Sequence, residues 1–463
     1  MRVQNTKFVC TLGPASEQPS VLKKMIIAGM DVARLNFSHG TYENHSALIK
    51  KIRTLADEMN VPLAIMQDLQ GPKIRIGTID DKGIPVRKGK EVILTCGKKT
   101  KDTIPVQYKS LYKDVKKGSR LLIDDGLVEL KVKKIIGKNI VCIAQNKGTI
   151  KKNKGINVPG CTITIDPVTE KDKKDLRFGL KNDIDYVALS FVREAKDIRK
   201  IRKYIGNKPV QIVAKIERLQ AIKNLDEIIK EADAVMVARG DLAMEIGPER
   251  VPIVQKEMIQ KCNKAGKPVI TATQMLQSMV KKPQPTRAEV SDTANAIFDH
   301  TDAIMLSNET AVGKYPVKAV NIFAKVAQTV EKELKGYHHL LPARSIHNTI
   351  DYYDALGFET CQLAEITKAK HIIVITTSGK SARYIAKHRS YIPTTVITPH
   401  KKTKNQLALL WGLNSIILGK VSAEKYLQDI KALVKKQHHI KKGQKIVVLY
   451  THTKEKRIVS TTI

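Results

Sequence analysis

Charged residues that could bind a metal ion and an anion stand at the ends of two consecutive apolar runs near the middle of the chain. The first run, QIVAKIE, carries Lys215 and Glu217 at its end. The second, AVMVARGD, ends with Arg239, Gly240 and Asp241. Alternate side chains of a strand share a face, so Lys215 and Glu217 point the same way. A cation, two carboxylates and a bare glycine backbone on neighbouring strands predict a metal and anion site; two ordinary strands that lead into charged loops are the alternative.

The segments before this site alternate between strand and helix patterns. The strand TKFVCTLG is followed by a helix that we expect Ser16 to cap and Gly29 to end. DVARLNFS, a helical segment and the strand PLAIMQD come next. This β-α-β-α-β order predicts a parallel sheet.

The alternation stops at Gly71-Pro72. From residue 71 to residue 166 the segments are short and separated by the turn signals DDKG, RKGK, IDDG and IGKN. LLIDDGLVELKV predicts a hairpin with Asp125-Gly126 at its turn. We therefore expect a small antiparallel β-domain over 71–166, inserted between two parts of one α/β domain.

The alternation then resumes and supplies five more strands, YVALSFV, VQIVAKIE, AVMVARGD, PVITATQ and AIMLSNE. With the three before the insert they make eight, which predicts a TIM barrel over 1–70 and 167–340 with its active site at the C-terminal ends of the strands. Polar residues stand at nearly all of those ends, which indicates one site built jointly by many strands. Outside the two runs described above they are Arg34, Asn36, Ser38, Asp68, Thr271, Thr273, Ser307 and Glu309.

Residues 341–463 form a third unit, whose strands HIIVITT, TTVITP, NSIIL and QKIVVLY alternate with helices and predict an open α/β sheet. Its first strand is followed by Thr376, Thr377, Ser378, Gly379, Lys380 and Ser381. Amides and hydroxyls at such a helix start suit a phosphate, although a plain strand-to-helix turn is the alternative. It is not a Walker loop, because Val374 stands where that motif has glycine.

The composition restricts the possible partners. With 81 Lys and Arg against 45 Asp and Glu, the formal charge is +36, which attracts nucleic acids and small polyanions. The basic residues are spread along the whole chain, so we expect a solvated basic surface and no specific nucleic-acid site. The six scattered cysteines, the absence of a membrane-spanning apolar run and a start without a signal peptide's apolar segment predict a cytoplasmic location.

Eight segments stand in the order found in the pyruvate kinase family, which the chain resembles over almost its whole length. They are ARLNFSHG, GPKIRIG, KGINVPG, KIE, ARGDLAMEI, TATQMLQSM, PTRAEVSDTANAIFD and IMLSNETAVGKYP. The resemblance implies glycolytic phosphoryl transfer from phosphoenolpyruvate to ADP, giving pyruvate and ATP, by a homotetramer. It also implies that the insert is a β-barrel lid, hinged near Gly71-Pro72 and Pro167, which closes over the site.

The resemblance further implies roles for individual residues. Glu217 and Asp241 would hold Mg²⁺, with Mn²⁺ as a substitute, because carboxylate oxygens suit such ions. Lys215 and Arg34 would neutralise charge on the transferred group, and Thr273 would lie near the carbon that is protonated. The backbone of Gly240 and Asp241 would receive the substrate carboxylate, and the residues on the nucleotide side would be Arg75, Asn36 and His39.

Three departures from the family pattern bear on function. The monovalent-cation pocket would comprise Asn36, Ser38, Asp68 and the carbonyl of Leu69, but Lys73 stands where potassium-dependent members carry Glu. Its ammonium brings the same unit charge as the ion, so we expect K⁺ to be dispensable; a solvated lid residue is the alternative. Asn308 replaces a small residue, and Glu194 replaces a lysine near the nucleotide, a loss for which the neighbouring Arg193 or another basic residue of the lid could compensate.

The loop 376–381 corresponds to the effector site of regulated members and implies a phosphorylated activator. The segment after Tyr450 is short and lacks the glycine-rich loop of the members that respond to fructose bisphosphate. A monophosphate effector is therefore favoured.

Two other functions were weighed against this one. A magnesium-dependent TIM-barrel lyase or aldolase also places two carboxylates near an enolate, but the insert and the C-terminal unit argue against it. A purely RNA-binding role would use the high charge, yet a catalytically inactive relative would be expected to have lost one of Lys215, Glu217, Asp241 and Thr273.

Overall fold

The computed structural model describes residues 4–161, 163–337, 352–422, 425–435, 443–451 and 456–462. The N-terminal part has the predicted alternation. In chain order its elements are β1 (Lys7–Thr11), α1 (Pro19–Ala28), β2 (Met30–Asn36), α2 (Tyr42–Glu58) and β3 (Ala64–Asp68).

One detail of α1 was predicted correctly and one was not. Gly29 ends the helix with a φ of 122°, a conformation that favours glycine. Ser16 does not cap it, because the helix begins three residues later, at Pro19, after the N-cap residue Gln18. Proline suits the first helical turn, since it has no amide hydrogen to satisfy there. The hydroxyl of Ser16 instead bonds to the backbone of Gly13 within the preceding turn.

The insert is the expected β-domain. Its elements are β4 (Ile84–Val86), β5 (Glu91–Thr95), β6 (Thr103–Pro105), α3 (Leu111–Asp114), β7 (Arg120–Ile123), β8 (Val128–Ile136), β9 (Asn139–Ala144), β10 (Gly148–Ile150) and β11 (Ile156–Asn157). Six strands pair in the order β11-β7-β8-β9-β5-β6, and β4 pairs with β10. All pairs are antiparallel except β5–β6.

Isolated bridges join the two edges of the six-stranded sheet. Ile76 pairs with Val106 beside β6, and the adjacent Arg75 pairs with Gly155 beside β11. The segment around Arg75 therefore closes the sheet into a small barrel. The predicted hairpin is β7–β8, and Asp125 and Gly126 lie in its turn with φ values of 55° and 85°.

The chain returns from the insert to the barrel through α4, and helices and strands then alternate to the end of the domain. The elements are α4 (Glu170–Lys181), β12 (Tyr186–Leu189), α5 (Ala195–Ile205), β13 (Gln211–Ile216), α6 (Leu219–Lys223), α7 (Leu225–Glu231), β14 (Ala234–Ala238), α8 (Arg239–Ile246), α9 (Val251–Ala265), β15 (Val269–Ala272), α10 (Arg287–Phe298), β16 (Ala303–Leu306), α11 (Asn308–Ala311) and α12 (Pro316–Tyr337).

Eight parallel strands close into a barrel in the order β1-β16-β15-β14-β13-β12-β3-β2, which confirms the predicted TIM barrel. One apolar core lies between the strands and the surrounding helices, and a second fills the barrel interior. Because all strands run the same way, their C-terminal ends meet at one rim.

The opposite, N-terminal rim carries a repeated feature. At the start of every second strand along the barrel, an aspartate accepts a hydrogen bond from the amide of the first or second residue of the preceding barrel strand. These N-terminal aspartates are Asp31, Asp185, Asp233 and Asp302, and their donors are the amides of Phe8, Ile65, Ile212 and Val269 at 2.8, 2.8, 2.8 and 2.9 Å. Each carboxylate thus satisfies a buried strand amide that would otherwise lack a partner.

The C-terminal domain is the predicted open α/β sheet. Its elements are α13 (Tyr352–Ile366), β17 (His371–Ile375), α14 (Lys380–Lys387), β18 (Thr394–Thr398), α15 (Lys401–Gln406), β19 (Leu413–Leu418), α16 (Tyr426–Lys435), β20 (Lys445–Thr451) and β21 (Lys456–Thr462). The strand order is β19-β18-β17-β20-β21. The edge strand β21, which pairs antiparallel with β20, was not predicted. The predicted boundary at 340/341 lies outside the described residues.

The C-terminal domain covers the N-terminal rim of the barrel. The hydroxyl of Tyr186, inside the barrel, donates to the carbonyl of Gln406 at 2.5 Å. Arg389 forms a buried ion pair of 3.1 Å with the N-terminal aspartate Asp302. Among the described residues, no helix is long and apolar enough to cross a membrane.

Candidate active site

A buried chain of alternating charges lies at the C-terminal rim. Asp68 at the end of β3 accepts from Nε of Arg34 at 2.7 Å through Oδ2, and its Oδ1 lies 3.1 Å from Nζ of Lys215. Nζ of Lys215 lies a further 3.2 Å from Oε1 of Glu217. Burial alone would raise the pKa of Asp68, but the charges of Arg34 and Lys215 hold it below its ordinary value. The two cations are therefore fixed in place by a carboxylate that stays ionised.

Glu217 and Asp241 bring two carboxylates close together. Burial is the main cause of the raised pKa of Glu217, and the nearby negative charge of Asp241 adds to it. Asp241 is half-buried in the first turn of α8, and its Oδ1 lies 3.4 Å from Nδ2 of the lid residue Asn157. A pair of hard oxygen donors whose charges repel each other fits a divalent cation such as Mg²⁺. Among the described residues there is no cluster of three or more metal-ligating side chains, so such an ion would need further oxygens from its substrates or from water.

The turn after β15 lies against the start of α8. Thr273 is held with a φ of 70°, and its Oγ1 accepts from the amide of Gly240 at 2.9 Å. Its carbonyl accepts from Nη2 of Arg239 at 2.6 Å. The structure thus brings Gly240, Asp241 and Thr273 together beside the carboxylate pair.

Some predicted strand-end residues serve the structure of the rim. Glu309 is buried and accepts from the amides of Leu276 and Ser307, which tie the turn after β15 to the end of β16. Thr271 is buried, and its hydroxyl donates to the hydroxyl of Thr301 at 3.0 Å. The polar atoms of these two residues are thus used by the protein itself.

The predicted cation pocket has its residues in adjacent positions. Asn36 and Asp68 pair directly across β2 and β3. Oδ1 of Asn36 accepts from the amide of Ser38 at 3.1 Å, and the carbonyl of Leu69 accepts from the hydroxyl of Ser190 at 2.7 Å.

Lys73 lies in the first segment of the lid. Its side chain lies close to Gly155, since a Cβ atom added to that glycine would be 3.1 Å from Cε of Lys73. The aliphatic part of Lys73 therefore runs along the lid segment beside β11. Within the described part of the chain, no hydrogen bond or ion pair joins it to Asn36, Ser38 or Asp68.

The residues predicted on the nucleotide side are more exposed. Arg75 donates to the carbonyl of Asn153 at 2.8 Å within the lid, and His39 is exposed on the loop after β2. Glu194, at the N-cap of α5, pairs with Lys196 at 2.5 Å. Arg193 does not replace the missing lysine, because its guanidinium is bound to Asp197 and to the carbonyls of Ile163 and Ile165. Asn308 is exposed in the first turn of α11.

Ser190 and Phe191 were missed by the sequence interpretation. The hydroxyl of Ser190 lies 2.6 Å from Nζ of Lys215, and the amide of Phe191 donates to Oε2 of Glu217 at 2.7 Å. They follow β12, which like β1 was not among the strands with predicted polar end residues, and the segment SFVR after β12 was a usable signal.

The predicted phosphate loop adopts an ordered turn before α14. Gly379 has a φ of 82° and donates to Oγ1 of Thr376 at 3.1 Å. Ser381 is buried and bonded to Thr451 at 2.7 Å. Nζ of Lys380 lies over the ring of Tyr353, 4.2 Å from its centroid. The hydroxyl and amide atoms of this loop are thus partly used within the domain.

Two family models match the chain. The barrel domain of pyruvate kinase matches residues 3–320, and the alpha/beta domain of pyruvate kinase matches residues 354–460. The first match includes the lid and all the barrel residues described above.

Curated relatives and solved structures agree with these matches. The chain is 43% identical over 458 residues to the pyruvate kinase of Clostridium acetobutylicum, and the alignment covers 96% of each. It is 42% identical over 453 residues to the pyruvate kinase of Staphylococcus epidermidis, covering 96% of this chain and 77% of that longer protein. The crystal structure of a pyruvate kinase from Cryptosporidium parvum superposes with a TM-score of 0.93 at 35% identity, over 99% of this chain and 96% of that one.

Proposed function

The chain belongs to the pyruvate kinase family, and from that premise we propose how its residues divide the work of the reaction. The reaction transfers a phosphoryl group from phosphoenolpyruvate to ADP and gives pyruvate and ATP. One observation carries the assignment of roles: the buried chain from Arg34 through Asp68 and Lys215 ends at Glu217, close to Asp241 at the start of α8, where the amide of Gly240 bonds to Thr273.

The carboxylate pair is the proposed metal site. The family generally needs Mg²⁺ and usually K⁺, and in this chain Glu217 and Asp241 would hold Mg²⁺ or Mn²⁺. When bound, the ion supplies positive charge to the oxygens of the substrates. The raised pKa of Glu217, caused first by burial and then by Asp241 among other charges, supports this assignment, because a cation between the two groups would relieve that repulsion.

Lys215 and Arg34 are the proposed groups that neutralise the transferred phosphoryl group and the enolate oxygen. Phosphoryl transfer depends mostly on positioning and charge neutralisation, which fixed cations perform without reorganisation. Burial lowers the pKa of Lys215, but the charges of Asp68 and Glu217 raise it more, so the ammonium stays charged. Asp68 would act by orienting both cations.

The start of α8 and the turn after β15 together form the proposed site of the substrate carboxylate and of proton transfer. The amides of Gly240 and Asp241, in the first turn of α8, would receive the carboxylate, and that of Gly240 would then exchange its bond to Thr273 for one to the substrate. Thr273, whose hydroxyl lies 2.9 Å from the amide of Gly240, would stand near the enolate carbon that becomes the methyl group of pyruvate.

The nucleotide would bind between the barrel rim and the lid. Arg75 on the lid, with Asn36 and His39 on the barrel, would face the phosphates of ADP. Lid closure about Gly71, whose amide is held by Asp172 at 3.0 Å, would exclude water from the reacting groups.

We also propose that K⁺ is dispensable. Each oxygen of Asp68 already faces a cation, and the carbonyl of Leu69 accepts from Ser190, so the ligands expected for the ion are engaged by the protein. Lys73 would supply the positive charge from the lid side.

Two further properties are proposed from membership of the family. The loop 376–381 would bind a phosphorylated activator, with a monophosphate favoured, and the chain would assemble as a homotetramer. Light scattering, and titration of activity with sugar monophosphates, would test them.

The decisive assay measures ATP formed from phosphoenolpyruvate and ADP with Mg²⁺, with and without K⁺. We expect full activity without K⁺. We expect Lys73→Glu to make the reaction depend on K⁺, because it replaces the fixed ammonium by a carboxylate. Lys88→Glu, an exposed change elsewhere on the lid, is the matched control and should leave the K⁺ response unaltered. A wild-type enzyme that needs K⁺ would rule out the role of Lys73.

A further inference from the structure

The turn after β15 has an unusual backbone. Thr273 and Gln274 follow each other in the left-handed region, with φ values of 70° and 56°. Residues other than glycine rarely enter this region, and for a β-branched residue such as Thr273 it is an outlier. Such a conformation persists only where the surroundings enforce it.

The guanidinium of Arg239 is the group that encloses this turn. Its Nε donates to the carbonyl of Ala272 at 3.1 Å, and its Nη2 donates to the carbonyl of Thr273 at 2.6 Å. Its Nη1 pairs with Asp292 at 2.8 Å. The residue is only 9% exposed. The carbonyls of Ala272 and Thr273 are thus both held by one rigid, buried guanidinium group.

All three nitrogens of Arg239 have partners within the protein, so it is not available as a ligand for the substrate. Its neighbour Gly240 is fixed to the same turn, because the Gly240 amide donates to Oγ1 of Thr273. The geometry couples the start of α8 to the conformation of Thr273.

We propose that Arg239 is a positioning residue for the proton-transfer step, which acts by holding Thr273 in its left-handed conformation. The proposal rests on the role of Thr273 proposed above. It assigns a purpose to the arginine of the segment ARGD that is separate from metal or substrate binding.

The test measures exchange of the methyl protons of pyruvate with deuterium oxide, which is the reverse of enolate protonation. Wild-type enzyme, Arg239→Met, Thr273→Val and the double variant are compared by proton NMR with Mg²⁺ and ATP. We expect each single change to slow exchange by about 100-fold, because Thr273→Val removes the hydroxyl and Arg239→Met removes the group that positions it. The double variant should be no slower than Thr273→Val, since residues that act through one another are not additive.

Each other result has a definite meaning. Multiplying effects in the double variant, or normal exchange in Arg239→Met, would overturn the positioning role. Normal exchange in Thr273→Val would remove the proposed role of Thr273 and, with it, the proposal for Arg239. Failure of the proposed function itself would be seen separately, as a wild-type enzyme that forms no ATP from phosphoenolpyruvate and ADP.

Further variants separate positioning from loss of the fold. Asp292→Asn changes a side chain that is 39% exposed and weakens only one partner of Arg239, so we expect a folded enzyme with exchange slowed by about tenfold. Gln274→Asn, placed in Arg239→Met, should restore part of the exchange rate because asparagine tolerates the left-handed region. No recovery, together with normal exchange in Asp292→Asn, would count against the proposal.

Arg53→Met is the matched control. Arg53 is also largely buried and pairs with an aspartate, Asp185, at 2.7 Å, but at the opposite rim. We expect it to lower the melting temperature and leave the exchange rate of the folded enzyme unchanged. Slowed exchange in this variant would mean that loss of any buried arginine disturbs the site, which contradicts a specific role for Arg239.

Discussion

At the N-terminal rim of the barrel the four N-terminal aspartates accept hydrogen bonds from strand amides, whereas at the C-terminal rim Asp68, Glu217 and Asp241 lie among cations and near one another. Only β14 has a member of each set, with Asp233 before it and Asp241 after it. The first set satisfies backbone donors and is covered by the C-terminal domain. The second set leaves like charges close together, as in Glu217 and Asp241, which favours a bound cation. Carboxylates thus stabilise the fold at one rim and create a binding site at the other.

The largest expected difference between the rims concerns their lysines. Lys215→Met should lower kcat by about 10²–10³-fold, because it removes a fixed charge from the transferred group. ATP formation under saturating substrates measures it. An effect confined to KM would contradict the assigned role.

Lys402→Met is the corresponding change at the other rim. Lys402 pairs with Asp183 at 2.7 Å and lies 3.3 Å from the N-terminal aspartate Asp185. We expect its loss to lower the melting temperature and leave kcat unchanged. A large fall in kcat would show that the two rims are not functionally distinct.

Aspartates at the two rims should also differ in whether their loss affects activity or stability. Asp241→Asn should raise the Mg²⁺ concentration needed for half-maximal activity by about 100-fold, because an amide is a weaker ligand than a carboxylate. Asp302→Asn should leave that concentration unchanged. It should lower the free energy of unfolding by about 3 kcal/mol, because Arg389 would remain buried without its partner. Urea unfolding measures the stability of both variants, and Mg²⁺ titration of activity measures their need for the ion. If the two variants changed both quantities equally, the aspartates at the two rims would not differ in function.

The smallest expected effect is a pH dependence at the C-terminal rim. His45 supports the loop after β2 by stacking on Phe37 and by bonding the carbonyl of His39 at 2.9 Å. Burial lowers its pKa below the ordinary value of 6.5. The unfolded chain therefore binds a proton more readily, and stability should fall as the pH drops below about 6.5.

His45→Gln tests this dependence, because glutamine can still donate but does not titrate. The fall in stability between pH 6.5 and pH 5 should be smaller in the variant than in the wild type. Identical pH profiles of the melting temperature would exclude His45 as the source.

The barrel could be predicted because its signals are local. Strand and helix patterns alternate in the sequence, and the lid interrupts them at a Gly-Pro pair. Lys215, Glu217 and Asp241 stood out for the same reason, since each lies at the end of an apolar run.

The errors arose where a role depends on a partner that is distant in the sequence. Arg193 seemed available for the nucleotide, but it holds the carbonyls of Ile163 and Ile165 at the end of the lid. Glu309 resembled a site residue, yet it satisfies two amides. The prediction that Ser16 caps α1 was wrong because the helix begins at Pro19. Residue type at a strand end predicts that a polar group is present and does not reveal what it contacts.

The N-terminal aspartates also bear on how the chain reaches its fold as it leaves the ribosome. Three of their hydrogen bonds join residues 23, 21 and 33 positions apart, so these strand pairs can form soon after synthesis. The fourth, from Ile65 to Asp185, spans 120 positions, because the whole lid lies between its two ends. Closing so long a loop costs more entropy and slows pairing. The pair β3–β12 therefore cannot form until the lid has been synthesised, and the pairing of β1 with β16 that closes the barrel comes later still.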